Sequence, residues 1–183
     1  MLYQIVSFLL DVVAGLLCGV CLLRIYMQWQ RVPFGGNPVG RLVFALSDWM
    51  VLPLRRIVPP LGRWDGASLL AALLVVLAQY GILWLLIGMG DGWVWLPVLA
   101  LFGVARVAIM GLIGLLIVYA VLSWVQAQSP ISGVITRLCD PVLRPVRRII
   151  PLVGGIDLSP LVLLVLLQVA LMVLGHLQAG VLR

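Results

Sequence analysis

The sequence predicts an all-α membrane protein built as two parallel helix-pair repeats. Each repeat carries two transmembrane helices and a kinked amphipathic, interfacial element on the cytoplasmic side. Three observations predict this. Hydrophobic residues make up 64% of the 183-residue chain and charged residues only 10%, a composition that belongs to lipid rather than water. Four apolar stretches, at roughly 4–29, 66–89, 94–124 and 158–182, each exceed the ~20 helical residues needed to cross a bilayer. Residues 46–69 and 138–161 match ungapped, at an offset of 92, in ten of 24 positions.

The matched positions include Asp48/Asp140, Pro53/Pro145, Arg55/Arg147, Arg56/Arg148, Pro59/Pro151 and Asp65/Asp157. They divide the chain into a first repeat, 1–92, and a second, 93–183. An even number of spans per repeat makes both copies enter the membrane the same way round, so they are related by an axis along the membrane normal.

The first stretch lacks a basic segment ahead of it, and we read it as a retained helix, not a cleaved signal. Between the first and second stretches lie Arg31, Arg41, Arg55, Arg56 and Arg63. Between the third and fourth lie Arg137, Arg144, Arg147 and Arg148. The turn near Asp91 carries no base. Basic loops remain in the cytoplasm, so both Arg-rich segments are expected inside a bacterial inner membrane and both termini outside it.

The Arg-rich segments, at about 37–60 and 129–152, are not plain loops. Asn37-Pro38 and Ser129-Pro130 each look like an N-cap followed by proline at the first helical position. Val39, Leu42, Leu46 and Trp49 share one helical face. Arg137, Asp140, Arg144, Arg147 and Arg148 form a charged stripe in the second copy, the pattern of a helix lying in the interface. Leu138 and Val142 join Leu42, Leu46 and Trp49 as residues expected to face acyl chains or the tops of the spans. Asp140-Pro141 looks like a fresh N-cap, so a break is expected there, and the later prolines forbid one uninterrupted helix. Asp65 and Asp157 look like caps for the second helix of each pair.

With these residues in view, the chain resembles the YggT family of small bacterial and plastid membrane proteins. The most specific parts are Arg24-Ile-Tyr-Met-Gln-Trp29, Leu122-Ser-Trp124, the Asp140-Pro-x-x-x-Pro-x-Arg-Arg-x-x-Pro151 run and Gly154-Gly-Ile-Asp-Leu-Ser-Pro160. Copy one departs from the pattern at Trp49 and at Arg63-Trp64, which makes copy two the better candidate for binding. The resemblance implies the four-helix architecture, and links to osmotic tolerance and cation uptake, to cell division and, in plastids, to maturation of a haem-bearing cytochrome. It brings no defined biochemical activity.

Composition sets limits on function. All twelve basic residues are Arg and all six acids Asp, for a net charge of +6. Such a balance on a membrane chain suits anionic headgroups, and no soluble basic face offers itself to nucleic acid. Arg55, Arg56, Arg144, Arg147 and Arg148, with Asp140, are the candidate site for lipid or partner. Guanidinium pairs bind phosphate bidentately, although topology and headgroup anchoring explain the same residues more simply. Asp11 and Arg106 fall at matching depth on the first and third helices, where a lone charge is costly, and are expected to form an intramembrane ion pair. A structural lock is the plain reading of that pair and an ion relay the sharper one. Cys18 and Cys21 fit a small-residue packing face with Gly15 and Gly19 better than a redox pair. His176, alone near a helix end, is a weak candidate for haem. With no paired carboxylates, metal cluster, nucleophile–base set or phosphate loop, neither an enzyme nor a bound cofactor or metal is expected. The leading reading is a non-enzymatic scaffold or assembly factor engaging lipid and membrane-protein partners, with an oligomer allowed. The alternative is a channel or transporter subunit for a small cation.

Overall fold

The computed structural model describes residues 1–32, 36–58, 65–87, 91–125, 130–149 and 157–181. Among them the regular structure is all helical: α1 (Leu2–Trp29), α2 (Pro38–Arg55), α3 (Gly66–Ile87), α4 (Leu96–Val125), α5 (Pro130–Arg147) and α6 (Ser159–Val181), with a short 3-10 turn at Asp91–Trp95 leading into α4. Four of these, α1, α3, α4 and α6, are long and apolar enough to span a membrane. Ser129, Pro59, Pro151 and the Gly154–Gly155 pair lie outside the described residues.

α1 packs along α3, and α4 packs against α3, α6 and α1. Small side chains allow the close approach: Cys18, Cys21, Ala67, Ala71, Ala72 and Ala100 are fully buried in one cluster. Between spans, packing of this kind replaces the hydrophobic effect, because lipid tails are as apolar as leucine. The cysteines are therefore packing residues in this chain, while a Cβ at Gly15 would meet nothing within 4 Å. Gly103 marks the tightest approach. A Cβ there would lie 2.5 Å from Val76 and 3.0 Å from the Tyr80 ring.

α2 and α5 share one end of the bundle and touch each other. α2 begins as its sequence predicts: Gly40 N donates to Asn37 Oδ1 at 2.5 Å, with Pro38 in the first turn. The expected break at Asp140-Pro141 does not occur. α5 runs unbroken through Pro141 and Pro145, and α2 through Pro53. Each proline removes the bond to the carbonyl four residues earlier, here Arg137, Pro141 and Trp49. Arg137, Pro145, Trp49 and Pro53 are all exposed, so most of the freed carbonyls lie on the outward side, where polar groups can reach them.

The residues expected to face acyl chains or the tops of the spans divide between the surface and the interior. α2 buries Gly40, Val43, Ser47 and Val51, whereas Leu42 and Trp49 are exposed and Leu46 is half-buried. Ser47 on the buried face meets the buried Arg24. Leu138, by contrast, is buried beside Met27, Val32, Val43 and Val134, and Val142 packs against the cluster of Leu116, Ile135, Cys139, Leu143 and Leu163. These two clusters fasten α5 to α1, α2, α4 and α6.

α1 ends in a tight reversal. Arg31 N donates to Gln28 O at 3.1 Å and Val32 N to Met27 O at 3.0 Å, closing a Schellman cap. Arg31 supplies the left-handed residue, with φ 54°, where glycine is the usual occupant.

Candidate functional site

The charged residues of the duplicated segment meet in two networks, one per repeat, where each interfacial helix joins its spans. In the first, Arg24 reaches from α1, only 2% exposed. It donates to Ser47 Oγ at 2.6 Å and Asp48 Oδ1 at 2.7 Å, and its Nε lies 3.7 Å from Asp65 Oδ2. Its guanidinium also sits 4.7 Å above the Phe44 ring, a favourable cation–π distance. Asp65 is fully buried and accepts from Arg55 at 2.6 Å and from Ser68 Oγ at 2.7 Å. Ser68 N reaches its other oxygen at 3.3 Å, so Asp65 caps α3 and holds two arginines at once.

The second network is built on the same frame. Arg147 Nε donates to Asp157 Oδ2 at 2.8 Å, and its other nitrogens reach Tyr119 Oη at 2.7 Å and Asp140 Oδ1 at 3.5 Å. Arg144 closes on Asp140 at 2.7 Å. Asp157 also accepts from Ser159 N at 3.0 Å, capping the start of α6. Each network holds two guanidinium groups and two carboxylates and is neutral.

Burial raises the Asp65 carboxyl, but hydrogen bonds from Arg55 and Ser68 outweigh it, leaving the pKa below the ordinary value. Asp157 follows the same pattern: burial raises it, and Ser159 and Arg147 bring it below. For Arg147, desolvation lowers the pKa, while Asp157 and Tyr119 raise it further, so the net shift is upward. Burial pushes the Cys139 thiol up to about 12, far from the thiolate that redox chemistry needs.

The geometry changes the reading of the predicted site. Arg55 and Arg147 are each engaged by a carboxylate, Arg55 half-buried and Arg147 at the exposed side. Arg144 and Asp140 pair with each other. Arg56 and Arg148 remain exposed, as do Arg31, Arg41 and Arg137, and none of these five forms an ion pair with the described residues. Both networks being neutral, the excess positive charge resides on arginines outside them. Sequence reasoning missed Arg24, Ser47, Ser68 and Tyr119 as network members. The repeat supplied Asp48, Arg55 and Asp65 and their counterparts Asp140, Arg147 and Asp157, but nothing in its spacing pointed to Arg24 or Tyr119 on the preceding spans.

A family model for CCB3/YggT matches the chain in two segments, residues 3–86 and 98–178. The chain belongs to the CCB3/YggT family. The two matched segments follow the duplication, one per network. Among relatives, the uncharacterized protein YggT of Escherichia coli (strain K12) is 40% identical over 169 residues, covering 89% of this chain and 85% of that protein. An uncharacterized protein encoded in the proC 3′ region of Vibrio alginolyticus is 36% identical over 176 residues, 92% of each chain. An uncharacterized protein of Pseudomonas aeruginosa is 31% identical over 177 residues, 94% of this chain and 89% of that one. No solved structure matches the chain.

The expected Asp11–Arg106 ion pair does not form. Asp11 accepts a hydrogen bond from Gln79 of α3, and no contact within 4.0 Å joins it to Arg106. Arg106 instead lines a groove with Gln168 and Gln178 of α6. The reason lies in the repeat itself: in each copy the charge on the first span faces the second span of its own pair. His176 Nδ1 lies 2.8 Å from the Met172 carbonyl, a bond within its own helix. Among the described residues no cluster of three or more metal-ligating side chains occurs.

Proposed function

We propose that the chain is a non-enzymatic scaffold of the bacterial inner membrane, with its Arg-rich end in the cytoplasm and its termini outside. The observation that carries this reading is the way α2 and α5 are held. Two neutral networks fix both helices to the spans, and their outward faces are left uncommitted. α2 presents Leu42, Ala45, Trp49 and Leu52, all exposed. α5 presents Arg137, and Arg148 follows it in the turn beyond the helix, both exposed and outside the networks. A rigid surface with one apolar and one basic stripe suits contact with a membrane-protein partner on the first and with anionic headgroups on the second.

The cation-channel reading has less support. A polar groove between α4 and α6 is lined by an arginine and two glutamines, with no acid in its wall, and a positive lining repels cations.

Site-specific photocrosslinking in native membranes tests the scaffold. Probes at Leu42, Trp49 and Leu52 are expected to give a discrete protein adduct, and probes at Leu161 and Val165 of α6 only lipid adducts. Lipid adducts alone from every position, together with potassium or sodium flux through purified chain in vesicles, would overturn it in favour of the channel.

A further inference from the structure

Arg106 sits ~15 Å along α4 from Leu96, at 1.5 Å per residue, in a span with no other charged residue. Its side chain is exposed. No carboxylate of the described residues lies within ion-pairing distance of it, and the one acid of the other spans, Asp11, is taken up with Gln79. A charge at this depth is expensive unless something compensates it.

The groove beside it indicates what does. It lies between α4 and α6, has a volume of about 340 Å³, and is walled by Met110, Leu171, Met172 and Leu174 around Arg106, Gln168 and Gln178. Met110, Gln168 and Met172 are exposed. On the outer side of a bundle of membrane spans, exposure means lipid, so the groove opens sideways into the bilayer rather than into a closed water chamber. Its polar groups offer the guanidinium donors of Arg106 and the Gln168 amide, with the Gln178 side chain shared with Tyr80, and no acid lines the groove. Its apolar walls suit a hydrocarbon chain. Trp93 and Trp95, both exposed just ahead of α4, mark the headgroup level at that end, ~20 Å along the helix from Arg106; the arginine stem extends only part of that way, so a bound phosphate is drawn below the headgroup level.

We propose that the α4–α6 groove binds one anionic phospholipid of the leaflet opposite the Arg-rich helices, with Arg106 on its phosphate and an acyl chain along the methionine wall. The ligand chemistry is a phosphate ester. The lateral opening assigns it to a lipid rather than to free phosphate. This site is at the other end of the molecule from the scaffold surface and does not depend on that reading.

The test uses the full chain in nanodiscs of equimolar phosphatidylglycerol and phosphatidylcholine, released and weighed by native mass spectrometry. Wild-type chain is expected to retain one phosphatidylglycerol in preference to phosphatidylcholine, unaffected by excess inorganic phosphate. Arg106→Gln should weaken retention about tenfold or more, the loss of one charge-assisted contact, Arg106→Lys should retain most of it, and Gln168→Leu should weaken it less. No preference in the wild-type chain overturns the proposal whether or not the variants fold. Displacement by inorganic phosphate, or full retention in Arg106→Gln, overturns it as well. If Arg137→Gln and Arg148→Gln release the lipid instead, it sits at the basic end and the groove site is wrong.

Discussion

Arg24 and Tyr119 occupy the same place in the two repeats, yet only one is charged. Aligning Trp29 with Trp124 puts them in register, and each meets the arginine network of its own copy: Arg24 lies 3.7 Å from Asp65, and Tyr119 lies 2.7 Å from Arg147. The charge that Arg24 brings to the first copy is brought to the second by Arg144, from a different helix. The duplicated frame therefore fixes neutrality, not the identity of each member. In the first copy the second guanidinium is inside the protein, and in the second it is near the surface, 71% exposed.

Removal of Arg24 follows from its burial. Arg24→Met leaves Asp48 without an ion-pair partner among the described residues and Asp65 with Arg55 alone, and breaking a buried pair typically costs on the order of 3–5 kcal/mol. Adding Asp48→Asn restores neutrality and is expected to recover part of that loss. Thermal unfolding of the single and double variants in detergent measures the coupling, and additive losses would mean the charges act independently.

In the second copy the two arginines are expected to differ. Arg144→Gln removes an exposed i,i+4 pair, worth about 1 kcal/mol or less. Arg147→Gln breaks contacts to Asp157, Tyr119 and Asp140 together and should cost several times more. Equal midpoints for the two variants would contradict the network.

Both networks predict sensitivity to acid. A carboxyl with a depressed folded pKa contributes stability above its unfolded value, ~3.9 for aspartate, and that contribution is lost as pH falls through the folded pKa. Asp65 and Asp157 are both depressed. Stability should be flat near neutral pH and fall below about pH 4. Tryptophan-fluorescence melts from neutral to acid pH check this, and Asp157→Asn should flatten the acid limb.

Within the spans, Asp11 is expected to couple to Gln79 and not to Arg106. Interhelical hydrogen bonds in membranes average ~0.6 kcal/mol and reach ~1.7, so a cycle of Asp11→Asn with Gln79→Leu should read in that range. The cycle of Asp11→Asn with Arg106→Leu should read near zero.

Much of the architecture was legible because the signals were strong and local. Span lengths follow from apolar runs, and the Asn37 and Asp65 caps follow from residue type and position. Two things were not legible. The run of α5 through Pro141 depends on which side of the helix its freed carbonyls face, and that is set by packing against α4 and α6. The Asp11–Arg106 expectation assumed that equivalent positions in two repeats face each other across the axis. Equivalent positions share equivalent surroundings, and here each faces the second span of its own pair. The Arg55 and Arg147 side chains were identified, but their partners lie ten residues on in sequence and one element away in space, beyond the reach of helical periodicity.

The Tyr26 hydroxyl donates to the Leu138 carbonyl at 2.6 Å, and Met27, Val32 and Val43 of the first repeat share a cluster with Val134 and Leu138 of the second. The seam between ancestral halves in the sequence is thus not a seam in the folded chain. A gene fragment encoding either half would expose a sticky apolar surface, and co-expressed halves should find each other. Fusion after duplication has made the two copies obligate halves, so that later change in one is answerable to the other.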